Sequence, residues 1–107
     1  MEVVIKDNSD EFLKALSEQV EQALMAIGLT AESYAKQECP VDTGRLRNSI
    51  THAVETGEQA VYIGTNVEYA AFVELGTSRM KPRPYLKPAA TEHTAEYKRL
   101  AEQALKG

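Results

Sequence analysis

The chain of 107 residues lacks tryptophan, contains one cysteine and carries fewer basic than acidic side chains. The single cysteine excludes an internal disulfide and suits a reducing compartment. Twelve lysines and arginines against sixteen aspartates and glutamates leave a net charge of −4, which argues against a general nucleic-acid-coating protein. No apolar run reaches membrane-spanning length, and residues 1–6 lack the basic start and apolar core of a signal peptide. These absences predict a protein that has no membrane contact and is made in a cytoplasm.

The rest of the composition is that of an ordinary globular protein. Hydrophobic residues make up 43% of the chain and charged residues 26%, and the length predicts a single domain over residues 1–107. The charge is uneven, because residues 1–40 hold eight acidic and three basic side chains whereas residues 41–90 hold five and six. An acidic first part and a slightly basic middle suit ordered contacts with copies of the chain or with other proteins.

A long amphipathic helix is predicted from about residue 10 to about residue 38, after a short strand at residues 1–6. Gly28 interrupts it at a cost of roughly 1 kcal/mol relative to alanine, which predicts either a bend or the close approach of another element. The helix is longer than a domain of this size needs, so packing against a neighbouring subunit stays open beside packing on a sheet. Its apolar face consists of Leu13, Leu16, Val20, Ala23, Ile27, Ala31 and Tyr34.

A β-hairpin is predicted at about residues 49–65. Residues 49–55 and 60–65 alternate apolar and polar side chains and are rich in β-forming residues. Between them, Gly57 and Glu58 fit a two-residue turn that has glycine in its first position.

Two further helical segments complete the predicted fold. Asp42 or Thr43 caps a short helical turn that carries Leu46 inward, and a C-terminal helix starts near Leu86, where Pro88 is tolerated in the first turn. The sequence therefore predicts an α+β fold in which a long N-terminal helix and a C-terminal helix pack on a small antiparallel β-sheet.

The segment over residues 69–87 changes from apolar to basic. Its first part predicts a short helix that ends at Gly76. Beyond this glycine, cations alternate with a methionine and two prolines, which keep the backbone extended. We therefore predict an extended basic loop at about residues 77–87 that docks protein partners, because arginine, methionine and tyrosine are enriched in interfaces. The predicted inward side of the short helix is Tyr69, Phe72, Val73 and Leu75, and the predicted interaction residues of the loop are Arg79, Met80, Lys81, Arg83, Tyr85 and Lys87.

Metal binding and nucleophilic catalysis have weaker support. Cys39, His52 and His93 are scattered and lack the spacing of metal ligands, so neither a metal nor another cofactor is predicted. Cys39 ends the long helix, where the dipole raises the pKa of a thiol and disfavours a nucleophile.

The carboxylates are also predicted to be structural. Glu74 is expected to point outward or to pair with an arginine such as Arg45 or Arg83. No catalytic residue and no small-molecule substrate is therefore predicted. A small hydrolase using Asp42 or Cys39 is kept as an alternative.

Three boxes of the sequence occur in the order and spacing of a known family: PVDTGRL at 40–46, YAAFVELGT at 69–77 and RPYLKPA at 83–89. With these boxes the chain resembles, over roughly residues 8–107, the HK-ninety-seven gene-product-ten-like tail-component family of long-tailed phages and prophages. The resemblance implies a non-enzymatic virion protein that acts in tail completion or head–tail joining as an oligomeric ring. The matching positions are Asp42, Thr43, Gly44, Leu46, Tyr69, Glu74, Gly76, Thr77, Arg83, Pro84 and Pro88.

The partners and the location follow from this resemblance. It implies copies of the same chain together with connector, neck or tail-tube proteins, in a virion assembled in the host cytoplasm. We expect the basic loop and the acidic long helix to make the contacts. A module that touches the packaged DNA end weakly, through Arg79, Lys81, Arg83 and Tyr85, is the first alternative.

Overall fold

A computed structural model describes residues 1–7, 12, 14–41 and 44–106, which form an elongated body of 48 × 20 × 20 Å. Helices and one small antiparallel sheet confirm the predicted α+β class. No helix in this described part is long and apolar enough to cross a membrane. The elements are β1 (Glu2–Lys6), α1 (Ser17–Glu38), α2 (Arg45–Ser49), β2 (Thr51–Glu55), a 3-10 turn (Thr56–Glu58), β3 (Ala60–Gly64), α3 (Ala70–Leu75), α4 (Leu86–Thr91) and α5 (Thr94–Lys106).

The sheet has the strand order β1-β3-β2, and both pairings are antiparallel. β3 is central because the predicted hairpin of β2 and β3 is joined by β1 on its other side. Val61 and Ile63 alternate inward along β3 and are fully buried. Tyr62 faces the opposite side of the sheet, in register with Val4 and Ala53. The first strand and the hairpin are thus confirmed.

The connection of the hairpin differs from the prediction. Glu55 pairs with Ala60, so four residues join the strands rather than the two-residue turn at Gly57 and Glu58. Gln59 takes the positive φ of 53° that closes the turn, and its N–H donates to the Thr56 carbonyl at 3.0 Å. The predicted turn is wrong because the left-handed residue is Gln59 and not the glycine.

Helix α1 begins at Ser17, later than predicted. Leu16 has an extended backbone and is 72% exposed, so its place on the apolar face is wrong. Its N–H donates to Gln19 Oε1 at 3.2 Å, which caps the start of the helix, while Phe12 enters the core instead. Residues 8–11 and 13, where the prediction placed the first turn, lie outside the described residues. From Val20 to Ala31 the predicted face is buried, whereas Tyr34 is half-buried. The helix ends at Glu38, before Cys39, as predicted.

Gly28 marks a close approach between α1 and the sheet. A Cβ at this position would lie 2.6 Å from His52 Cδ2 and 3.1 Å from Val61 Cγ1. The His52 ring cannot turn away freely, because its Nδ1 lies 2.9 Å from Glu32 Oε1. For Gly28 the sequence predicted either a bend or the close approach of another element, and the close approach is confirmed.

The predicted C-terminal helix is two helices, α4 and α5, which break at Glu92 and His93. At the last residue of α4, the Thr91 hydroxyl donates to the Lys87 carbonyl at 2.9 Å. His93 leaves the helical path and stacks on Tyr34 of α1, with ring centroids 3.5 Å apart. The prediction of a single continuous C-terminal helix is therefore wrong. Buried Tyr97 and Ala101 of α5 contribute to the core.

We expect Gly28→Ala to lower the free energy of unfolding by about 1–3 kcal/mol, although alanine is the better helix former. The added methyl group collides with the His52 ring and has no space to relax into. Urea unfolding of the variant and of Ser33→Ala, an exposed position on the same helix, measures the difference. A Gly28→Ala protein as stable as the Ser33→Ala control would contradict the close packing.

Candidate protein-interaction site

Helix α3 faces the core with a side that the sequence did not predict. Ala70 and Glu74 are buried, whereas Phe72 is 58% and Leu75 is 69% exposed. The prediction that Phe72 and Leu75 cover an inward side is wrong. Two of the largest apolar side chains of this region lie at the surface because the helix is rotated to turn Glu74 inward.

The Glu74 carboxylate holds the start of helix α4. Its Oε1 accepts the backbone N–H groups of Tyr85 and Leu86 at 3.0 and 2.8 Å, and its Oε2 accepts that of Lys87 at 3.1 Å. The first N–H groups of a helix have no partner within the helix, so this carboxylate satisfies three of them at once. Both predictions for Glu74 are wrong. It does not point outward, because it is only 4% exposed, and its carboxylate pairs with backbone N–H groups instead of an arginine.

The loop over residues 77–84 folds back onto the end of α3 and is closed at its base, which means that backbone hydrogen bonds hold its two ends in place. Gly76 has φ of 76°, and a Cβ there would lie 2.7 Å from the Pro82 nitrogen and 2.8 Å from the Met80 carbonyl oxygen. The N–H of Thr77 donates to the Met80 carbonyl at 2.8 Å, and the N–H of Arg83 donates to the Val73 carbonyl at 2.8 Å. Gly76 therefore ends α3 as predicted and also allows the loop to fold back onto the helix.

Tyr85 does not belong to the exposed loop. Its side chain is fully buried, and its hydroxyl donates to the Ala70 carbonyl at 3.2 Å. Burial raises the pKa of this phenol well above its usual value. The prediction of an exposed contact at Tyr85 is wrong because this aromatic ring fills the core beneath the loop. Lys87 is exposed but lies in the first turn of α4.

The surface that remains is basic and apolar. Arg79, Lys81 and Arg83 are exposed, and none of them makes an ion pair within the described chain. Met80 is 39% exposed among them. We call these four side chains, together with the two exposed side chains of the helix onto which the loop folds back, the basic loop patch: Phe72, Leu75, Arg79, Met80, Lys81 and Arg83.

Several other predicted motif residues lie beneath or beside this patch. Gly44 has φ of 84° and precedes α2, in which Leu46 is buried as predicted. Asp42 and Thr43, the two predicted caps of α2, lie outside the described residues. Half-buried Tyr69 contacts Arg45, whose Cζ lies 5.5 Å from the ring centroid. Of the remaining positions, Thr77 accepts the Arg79 N–H at 3.2 Å through Oγ1, Pro84 is exposed, and Pro88 is half-buried in the first turn of α4.

The candidate nucleophile and metal ligands are structural groups. Cys39 is 4% exposed, and burial raises the pKa of its thiol, which disfavours the thiolate. His52 is held by Glu32, and His93 stacks on Tyr34. Among the described residues, no group of three or more histidine, cysteine or acidic side chains is placed to hold a metal ion.

Two exposed residues that the sequence analysis passed over lie on α1. Met25 is 46% and Leu29 is 57% exposed, and both face away from the core. They are spaced by one helical turn on the polar side of the helix, which is a signal visible in the sequence. The exposure of Phe72 and Leu75, by contrast, depends on the burial of Glu74 and has no such signal.

This small α+β chain exposes apolar and basic side chains at a loop, a combination that is typical of protein-interaction surfaces. Residues 4–76 match the family model HK97-gp10_like, described as "Bacteriophage HK97-gp10, putative tail-component", and the chain belongs to this family. It is therefore a structural tail component of a bacteriophage, with a virion-associated location. The match ends at Gly76, so the RPYLKPA part of the resemblance stays a prediction. No curated protein and no solved structure shows significant similarity to the chain.

We expect Glu74→Gln to lower the free energy of unfolding by about 2 kcal/mol or more, because one acceptor oxygen is replaced by a donor amide that faces buried N–H groups. Equilibrium unfolding in urea measures this loss. Glu68→Gln is the matched control, since the same change there affects only an exposed pair with Arg45. Equal losses in the two variants would contradict the role of Glu74.

Proposed function

We propose that this tail component acts in tail completion or head–tail joining as a ring-forming protein. Its partners are copies of itself and connector, neck or tail-tube proteins, and it is assembled in the cytoplasm of the host. The basic loop patch makes the contact with these partners.

The observation that carries the proposal is the exposure of large apolar side chains on a loop that is closed at its base. Phe72 and Leu75 are more than half exposed, and interface cores are enriched in such aromatic and apolar anchors. The loop is held at both ends: Gly76 packs against its backbone at the start, and Glu74 accepts the backbone N–H groups of the residues that follow it. A surface that is ordered before binding loses less conformational entropy on association. This arrangement suits a protein that adds to an assembly in a defined orientation.

The DNA-contacting alternative has less support. Arg79, Lys81 and Arg83 are exposed and suit phosphate contacts. Tyr85 was the fourth residue expected to touch the DNA end, and its burial removes that contribution. Of the two residues named for the hydrolase alternative, Cys39 has a buried thiol with a raised pKa, which disfavours a nucleophile, and Asp42 lies outside the described residues.

We expect the wild-type protein to form oligomers and the variant Arg79→Glu, Lys81→Glu, Arg83→Glu to be monomeric at the same concentration. Reversing three exposed charges removes the attraction to an acidic partner surface without touching the buried contacts of Glu74. Size exclusion coupled to light scattering measures the mass.

The control for this experiment is Lys6→Glu, Lys14→Glu, Lys98→Glu, which makes the same charge change at exposed positions elsewhere. It should assemble like the wild type. A wild-type protein that stays monomeric at high concentration would contradict self-assembly. If such a monomer bound duplex DNA with a steep salt dependence that the loop variant lost, the result would favour the DNA-contacting alternative.

A further inference from the structure

The outer side of α1 carries a second exposed apolar surface, of opposite charge to the basic loop patch. Glu18, Met25 and Leu29 follow one line along the helix, because their spacing of seven and four residues returns to the same side. Glu21 lies beside this line one turn before Met25. These four residues, which we call the α1 stripe, are all exposed, and within the described chain neither glutamate makes an ion pair.

The two surfaces have the same design with reversed signs. The basic loop patch combines exposed Phe72, Leu75 and Met80 with three cations, whereas the α1 stripe combines Met25 and Leu29 with two carboxylates. Apolar side chains at the centre with opposite charges at the margin give both affinity and register.

The signs of the charges also exclude the symmetric pairings. Two basic loop patches in contact would bring Arg79, Lys81 and Arg83 against their own copies. Two α1 stripes in contact would do the same with Glu18 and Glu21. Like charges placed together across an interface repel each other, and of the pairings between these two surfaces only the unlike one brings opposite charges together.

We infer that the basic loop patch of one copy docks on the α1 stripe of a second copy. This inference rests on the proposed function, since it names the surface that receives the loop during self-assembly. It makes the contact heterologous: each copy donates its loop to one neighbour and its helix to another. A heterologous contact closes into a ring or continues as a filament.

The positions of the two surfaces allow one copy to use both at once. The loop adjoins the C-terminal end of α1, because Glu74 and Arg83 lie near enough to Cys39 to act on its pKa. Met25 lies fourteen residues before Cys39 in the sequence. At 1.5 Å per residue this separates Met25 from the end of the helix by roughly 20 Å, so the two surfaces do not overlap along α1.

The test mixes two variants that each lack one surface. The loop variant for this test is the uncharged Arg79→Gln, Lys81→Gln, Arg83→Gln, and the stripe variant is Glu21→Lys, Leu29→Lys. An uncharged altered loop has no charge attraction to the lysines of the altered stripe. Lysine forms helices nearly as well as the residues it replaces, and circular dichroism checks the fold. The matched control is Glu102→Lys, Gln103→Lys, which makes the same change at exposed positions of α5.

We expect each of the two variants to be monomeric alone, and their equimolar mixture to form a dimer that grows no further. In that dimer the intact loop of one variant meets the intact stripe of the other, and both outer surfaces are the altered ones. The control should assemble like the wild type. If the stripe variant lost its fold, the milder Met25→Gln, Leu29→Gln should still raise the dissociation constant of the assembly at least tenfold.

The outcomes separate this inference from the proposed function. A stripe variant that assembles like the wild type, while the loop variant does not, would overturn the inference and leave loop-mediated assembly in place. A mixture without a dimer, although both variants are folded, would overturn it as well. A wild-type protein that never assembles would contradict the proposed self-assembly, and with it this inference.

Discussion

The buried carboxylate of Glu74 is the interaction on which the rest of this surface depends. A carboxylate removed from water is costly unless its oxygens are hydrogen-bonded, and here three backbone N–H groups from the start of α4 provide that compensation. The contact joins two helices that are separated by the loop. Without it, three buried or half-buried N–H groups would lack an acceptor, and the buried carboxylate would lack its donors.

The rotation of α3 follows from this contact. Because Glu74 must reach α4, Phe72 and Leu75 lie on the outer side, where a helix of six residues has no second layer to cover them. Tyr85 closes the space underneath and is itself fixed by Ala70. An exposed apolar surface on an otherwise acidic chain is thus a consequence of satisfying one buried carboxylate. Under the proposed function, this exposed surface makes the contact with the partners of the assembly.

Much of the fold was predictable from the sequence, and the particular errors have a common cause. The alternation of Val61 and Ile63 and the periodicity of α1 after Val20 are repeated signals, and both elements are confirmed. Gln59 was missed because the choice of the left-handed residue in a turn depends on strand register. Glu74 was misread because its partners are backbone N–H groups eleven to thirteen residues away. A pattern of side chains contains no information about which backbone donors a distant element leaves free.

The candidate site shows the same division. The three loop cations were recognisable from their alternation with prolines, and they are exposed as predicted. Tyr85 lies in the RPYLKPA box beside the cation Arg83 and yet is buried, because tertiary structure decides which side chains pack beneath a loop. Met25 and Leu29 are recognisable in the sequence as apolar residues on the polar side of a helix. Their role in a contact is inferred only by comparing the α1 stripe with the basic loop patch, which carries the opposite charge.

The central claim is that Glu74 and Gly76 hold the loop in its binding form before any partner arrives. Backbone nitrogen-15 relaxation of the monomeric loop variant Arg79→Glu, Lys81→Glu, Arg83→Glu measures this directly. The account predicts order parameters of about 0.85 for residues 77–84, similar to those of a rigid backbone. Values below about 0.6 across the loop, with ordered flanking helices, would contradict it.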